Sequence, residues 1–197
     1  MIKNTIKNAI KALENGEIIV YPTDTLYAMG VNIHNINAIQ RLFEIKKRPF
    51  SVPLPVAVSN FEEIKKIAYT NKNIQSIVEN FLPGQLTLLL KKKNTVSNLI
   101  SSGKDTIAIR IPNNDIALRL ISKFGPITAT SANIHGKKPS HEIKYIKKQF
   151  QKNISVYLDD GILDEAPSTI IDLTTNPPQL LRNGPISQSS IESILEI

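Results

Sequence analysis

The chain of 197 residues has no cysteine and no tryptophan, and only five of its 24 basic residues are arginine. Without cysteine there can be no disulfide, no thiolate-ligated zinc and no thiol nucleophile, so any chemistry must come from oxygen and nitrogen groups. That absence fits a reducing cytoplasm, which is the expected location. The Phe and Tyr residues, 11 in all, are not interleaved with basic residues as they are in sheet-type readers of RNA. No apolar run reaches the ~18 residues that a membrane span needs. Met1-Ile2-Lys3-Asn4 opens a Lys-dotted amphipathic pattern rather than a leader, so no export and no membrane partner is expected. His34, His135 and His141 are too scattered for a metal motif, and no carboxylate cluster suggests a protein cage for a cation. Ser131 has no neighbouring His or Asp in sequence, which leaves a serine hydrolase a weak reading.

A hydrophobic content of 41% is enough for one substantial core, and residues 1–197 are read as one domain. The formal net charge of +7 favours polyanions such as RNA or a nucleotide triphosphate. Lys91-Lys92-Lys93 and Lys147-Lys148, however, fall at element ends where solvated charge is the ordinary explanation. An RNA-binding module without turnover, contacting tRNA or duplex RNA through phosphates, is the alternative that this charge keeps open.

Helical and strand periods alternate along the chain. Ile6, Ala9, Ile10 and Leu13 share a helical face that Gly16 terminates, and 17–21 reads as a buried strand. Helices are predicted around 36–46, after Asn60, over 74–81, 116–121 and 141–150, and after Ser187. Strands are predicted at 54–58, 85–90, 106–111, 127–130, 168–173 and 179–181, with a flexible segment from 91 through Gly103. The interleaving is not strict, which predicts an α/β, α+β-like fold: a twisted mixed sheet flanked by helices, with a basic concave face.

Three of the five arginines, Arg48, Arg110 and Arg182, end or follow a strand-like run or a Lys-Lys pair. A guanidinium is a planar fork that grips carboxylate or phosphate and cannot lose its proton, so forks in connections point to an anionic small-molecule site. Arg41 and Arg119, on predicted helices, serve as surface controls. The connections also carry hydroxyls and amides. Pro22-Thr23-Asp24-Thr25-Leu26-Tyr27 follows a strand, and Ser131-Ala132-Asn133 leaves one, with Ser131 and Asn133 on the same side of an extended chain. Pro167-Ser168-Thr169 opens another strand. Each alone also reads as a side-chain-stabilised turn.

Together, in order, these words and Lys46-Lys47-Arg48-Pro49, Pro83-Gly84-Gln85-Leu86-Thr87, Ile109-Arg110-Ile111-Pro112 and Arg182-Asn183-Gly184 resemble the YrdC/TsaC family over nearly the whole chain. The resemblance is to the short form without an extra C-terminal domain. It implies an L-threonylcarbamoyladenylate synthase, a nucleotidyltransferase that condenses L-threonine, bicarbonate or CO2, and ATP, and releases pyrophosphate. The product would feed threonylcarbamoylation of the adenosine beside the anticodon through downstream transfer proteins, with direct tRNA contact possible. Position by position it implies Thr25, Arg110, Ser131 and Ser168 as the L-threonine site, with Arg110 on the carboxylate. Lys46, Arg48, Thr106, Asn133, His141 and Arg182 fall on the ATP side, and Lys46, Arg48, Ser131 and Asn133 are the catalytic set. Mg2+ would arrive with the ATP, and Asp24 would brace its turn. Ala28-Met29-Gly30 departs from the Gly-Leu-Gly usual in relatives, and Phe50-Ser51-Val52-Pro53 replaces a more polar run. A related carbamoyl-adenylate domain of hydrogenase maturation proteins is set aside, because those domains are embedded in larger zinc-containing chains.

Overall fold

A computed structural model describes residues 2–195, so Met1, at the head of the segment read above for a leader, lies outside the described residues. Helix α1 (Ile2–Glu14) buries Ile6, Ala9 and Leu13 on one face, and Gly16, at φ +72°, turns the chain out of it into β1 (Ile19–Tyr21). β1 pairs antiparallel with β2 (Ala28–Gly30). The segment containing Ala28, read from sequence as a motif-bearing connection, is therefore half turn and half strand. β2 pairs in turn with β7 (Thr130–Ser131), and β1 runs parallel to β8 (Val156–Tyr157), giving a four-stranded sheet in the order β7-β2-β1-β8.

A second, six-stranded sheet has the order β10-β9-β4-β5-β3-β6, built from β3 (Val56–Ala57), β4 (Leu86–Lys91), β5 (Thr106–Arg110), β6 (Ile127–Thr128), β9 (Thr169–Asp172) and β10 (Gln179–Arg182). β4 runs antiparallel to β5 but parallel to β9. The mixed α/β class with flanking helices is as expected, and the strands divide between two sheets. Thr128 joins them, its backbone N–H donating to Val31 O at 3.1 Å.

Alternation along the six-stranded sheet decides where a site can form. Leu86, Leu88 and Leu90 point into the core, so Thr87, Leu89 and Lys91 take the opposite face. In β5 the same rule buries Ile107 and Ile109 and puts Thr106, Ala108 and Arg110 on the face shared with Thr87. Helix α2 (Ile36–Lys46) starts at Asn35, whose side chain accepts from Ala38 N, and buries Leu42 and Phe43. It ends at Lys47 in the left-handed region, φ 50°. Helices α3 (Phe61–Ile67) and α4 (Lys72–Phe81) are capped the same way by Asn60 and Asn71. The stretch expected to be flexible before Gly103 holds a short helix, α5 (Asn98–Ser101), with Ser97 accepting from Leu99 N. Helices α6 (Asp115–Phe124), α7 (Ile143–Phe150) and α8 (Gln188–Leu195) follow.

Two apolar clusters result. The larger joins α2, β2, β4 and β5 through Met29, Leu42, Phe43, Leu88 and Ile109. The second packs α1 on α6 and β1 through Leu13, Ile19, Leu120 and Ile121. Among the described residues no helix is long and apolar enough to cross a membrane.

Candidate active site at the strand ends

A cavity of about 360 Å³ opens where the polar face of the larger sheet meets the turn after β1. The sheet supplies Thr87, Ala108, Arg110, Ile170 and Arg182, and the smaller sheet and its turn supply Thr23, Thr25, Tyr27, Ala28, Thr130 and Ser131. Ala28 lines this wall and its methyl is accommodated within the second apolar cluster. Gly30 has no such latitude, since a Cβ would stand 3.0 Å from a ring carbon of Tyr21.

Arg110 is 6% exposed. Its Nη2 donates to Asp24 Oδ1 at 2.5 Å and its Nη1 to Thr25 Oγ1 at 3.0 Å. Asp24 is thereby the counter-ion of Arg110, a partner 86 residues away, where the sequence suggested only a brace for its own turn. The guanidinium keeps further N–H groups for a ligand. Thr23 Oγ1 donates to Leu26 O at 2.7 Å, so in its 3.0 Å contact with Thr25 Oγ1 the proton belongs to Thr25. Thr25 therefore offers a ligand only a lone pair, which suits an amine or hydroxyl donor. Ser131 Oγ is in the same state, because it donates to Asn133 Oδ1 at 2.5 Å.

Lys46, at the end of α2, is buried, and its Nζ donates to Ser131 O at 2.5 Å and Asn133 O at 2.6 Å. It ties the helix to the Ser131–Asn133 loop. Burial, reinforced by nearby Arg48, pushes its ammonium down to about 7. Arg48 Nε and Nη2 donate to Val52 O (3.1 Å) and Pro53 O (2.7 Å), holding the connection to β3 against the cavity. Arg182 Nε and Nη2 donate to Ser168 O (2.8 Å) and Ser168 Oγ (3.1 Å). Burial lowers the pKa of both arginines, and for Arg182 the Arg110 charge adds to the effect.

The structure gathers Thr25, Arg48, Arg110, Ser131, Ser168 and Arg182 on one cavity wall, and sets Lys46 and Asn133 directly behind it. Thr106 lies on the same strand face as Arg110 but at the far end of β5, opposite Lys91. His141 stands outside the wall, with Nδ1 2.5 Å from Leu163 O and 3.6 Å from Asp164 Oδ1. Among the wall residues given no role above, two make polar contacts that shape the site. Tyr27 is one; its hydroxyl donates to Gly161 O at 2.7 Å and accepts from Asp160 N at 2.9 Å, and burial raises its pKa to about 12. Thr87 is the other, its Oγ1 2.8 Å from Ser168 Oγ. Strand parity was the available signal for Thr87, because residues two apart from Leu89 and Lys91 share their face.

Gly184 guards the Arg182 side. A Cβ there would meet Pro167 O and Ser168 C, both at 2.7 Å, and would overlap Thr169 N. All three are backbone atoms, so relief requires shifting β9. Gly184→Ala should cost about 2 kcal/mol by overpacking, a fall of roughly 5 °C in Tm for a chain of this size. Differential scanning fluorimetry checks it, and an unchanged Tm would refute the close approach.

Comparison with known proteins places this arrangement. A family model for the Sua5, YciO and YrdC domain, described as telomere recombination, matches residues 11–184. A threonylcarbamoyl-AMP synthase of Pyrococcus abyssi is 36% identical over 193 residues, covering 96% of this chain and 57% of that protein. The chain thus spans little more than half of that relative's length. The crystal structure of P. abyssi Sua5 complexed with L-threonine superposes with a TM-score of 0.91 at 36% identity, covering 96% of this chain and 57% of that one. A putative threonylcarbamoyl-AMP synthase of Methanocaldococcus jannaschii is 37% identical over 185 residues, covering 93% of this chain and 87% of that one. Escherichia coli YciO superposes with a TM-score of 0.86 at 28% identity, covering 95% of this chain and 92% of the other. With the family model spanning all but the two ends of the chain, and relatives at 36–37% identity covered along nearly all of it, the chain belongs to the Sua5/YciO/YrdC family.

Proposed function

We propose that this protein is an L-threonylcarbamoyladenylate synthase, working as one domain over residues 1–197. The observation that carries the reading is the chemical division of the cavity wall. Arg110 and the Ser168 side present donors to anionic groups, while Thr25 and Ser131 present lone pairs, as the carboxylate and the amine or hydroxyl of one amino acid require. Arg48 and Arg182 supply cationic forks for the phosphates, with Lys46 and Asn133 shaping the loop behind them, while Thr106 and His141, expected on the ATP side, stand outside this cavity wall.

In this scheme the L-threonine amine captures CO2, and an oxygen of the resulting carbamate attacks the α-phosphorus of ATP as pyrophosphate leaves. Both reactants are anions. The protein's task is to hold them in line against their repulsion, and fixed cations and preorganised dipoles accomplish that without covalent catalysis. Mg2+ belongs with the nucleotide as part of the substrate. None of the residues lining the cavity is a carboxylate, Asp24 is committed to Arg110, and among the described residues no three His, Asp or Glu group to hold a metal. The adenylate would pass to proteins that transfer the threonylcarbamoyl group to tRNA, which sets the work in the cytoplasm.

The test is to incubate the purified protein with ATP, Mg2+, bicarbonate and single amino acids, following pyrophosphate release and the adenylate by mass spectrometry. Formation of adenylate with L-threonine and not with the other amino acids is expected. No amino-acid-dependent adenylate, together with salt-sensitive RNA binding, would replace this reading with that of an RNA-binding module.

A further inference from the structure

The Pro83-Gly84-Gln85-Leu86-Thr87 stretch has no role in the assignments above, yet two of its members act on the cavity. Gln85 Nε2 donates to Asp24 O at 2.8 Å, anchoring the turn that carries Thr25. Thr87 is 4% exposed, lines the cavity, and pairs with Ser168.

Proton counting defines what that pair offers. Arg182 Nη2 donates to Ser168 Oγ, which uses a lone pair of that oxygen. The 2.8 Å Thr87–Ser168 contact uses one of the two hydroxyl protons, whichever way it runs. The other proton has no acceptor among the described residues, and both residues face the cavity. The pair therefore delivers one O–H to whatever acceptor a ligand brings, in contrast to Thr25 and Ser131, whose protons are committed to Thr23 and Asn133. The position is also set by register. Continuing the Leu88↔Ile109 ladder by one residue puts Thr87 across from Arg110, one strand spacing of about 4.8 Å away on the same face.

We propose that Thr87 is a further amino-acid-binding residue: Ser168, held by Arg182, donates to Thr87 Oγ1, and Thr87 Oγ1 donates its own proton to the substrate carboxylate beside Arg110. The proposal rests on the reading of this cavity as an L-threonine pocket. Thr87 and Arg110, donors on neighbouring strands, fix the plane of the carboxylate as well as its position, which orients the amine for carbamate formation.

The test uses the full chain as wild type, Thr87→Val and Thr87→Ser, with KM for L-threonine measured at saturating ATP and KM for ATP at saturating L-threonine. Removing one hydrogen bond to a charged acceptor should raise the L-threonine KM of Thr87→Val about tenfold. Its KM for ATP should stay within about twofold, and Thr87→Ser should restore the wild-type value. An unchanged L-threonine KM in Thr87→Val overturns the proposal. So does an equal loss for both substrates, or no rescue by serine, since either makes Thr87 a packing residue. Should Thr87→Val fail to fold, Thr87→Ala takes its place with the same criteria. Calorimetry on the wild-type protein separates the two levels: if L-threonine does not bind at all, the pocket reading itself falls and the proposal falls with it.

Discussion

Replacing Arg110 with lysine is expected to lower L-threonine-dependent adenylate formation by about a hundredfold or more, while Arg119→Lys changes it by less than about twofold. A hundredfold corresponds to about 2.7 kcal/mol, within the range of one charged hydrogen bond together with misplacement of the group that makes it. The guanidinium reaches Asp24 and Thr25 from two different nitrogens while turning further N–H groups toward the cavity. A lysine ammonium is a single point charge on a flexible stem without the planar fork, so it does not hold Asp24, Thr25 and a ligand carboxylate in the same fixed geometry. Arg110→Ala is the poorer experiment. It strands the Asp24 carboxylate, whose side chain is 9% exposed, and destabilises the fold by about 3–5 kcal/mol, so lost activity would report unfolding. Arg119 is exposed on α6 and supplies the charge-matched control. Mass spectrometry of the adenylate beside a thermal melt of each variant reads both effects, and equal losses in the two lysine variants would refute the role given to the fork.

Lys46→Met should abolish measurable turnover and alter how stability depends on pH. The lysine holds the carbonyls of Ser131 and Asn133 to the end of α2. Ser131 O keeps a second donor, Asn133 N at 2.9 Å, so the heavier loss falls on Asn133 O, at about 2 kcal/mol for a buried unpaired acceptor. The pH signature follows from burial, aided by Arg48, which brings the folded pKa down to about 7 against about 10.4 in the unfolded chain. Between those values the unfolded chain holds a proton that the folded chain has released, so this group's contribution to stability rises with pH across the window. Below about pH 7 both states are protonated and its cost is constant. The Tm of the wild type should therefore climb relative to that of Lys46→Met as pH goes from 7 to 9. A constant difference would remove the claim that burial governs this amine.

Local patterns in the chain reveal the elements better than their partners. Asn60, Asn71 and Ser97 accept from first-turn N–H groups and start helices where capping chemistry requires, although the one-turn α5 was hidden in a Lys- and Ser-rich stretch too short to show a period. Arg110 at the end of an alternating strand was visible as a site residue. Its counter-ion was not, because Asp24 lies 86 residues away and only the folded chain brings them together. The same applies to Thr87 and Ser168, 81 residues apart, joined by the parallel pairing of β4 with β9 that no short-range signal announces. β2 and β7 were obscured for another reason. At three and two residues they are shorter than the alternation needed to recognise a strand.

Residues from Thr23 to Arg182 contribute to this cavity, drawn from strands and connections spread along the chain, so no contiguous fragment contains the whole site. Occupancy and global unfolding are then coupled events. A ligand present at a hundred times its Kd adds about 2.7 kcal/mol to the stability of the entire chain, and the gain appears in the main melting transition, not in a local one. Amide hydrogen exchange would register it as slower exchange in the core strands β4 and β5 as well as at the rim, making the apolar interior an indirect gauge of saturation.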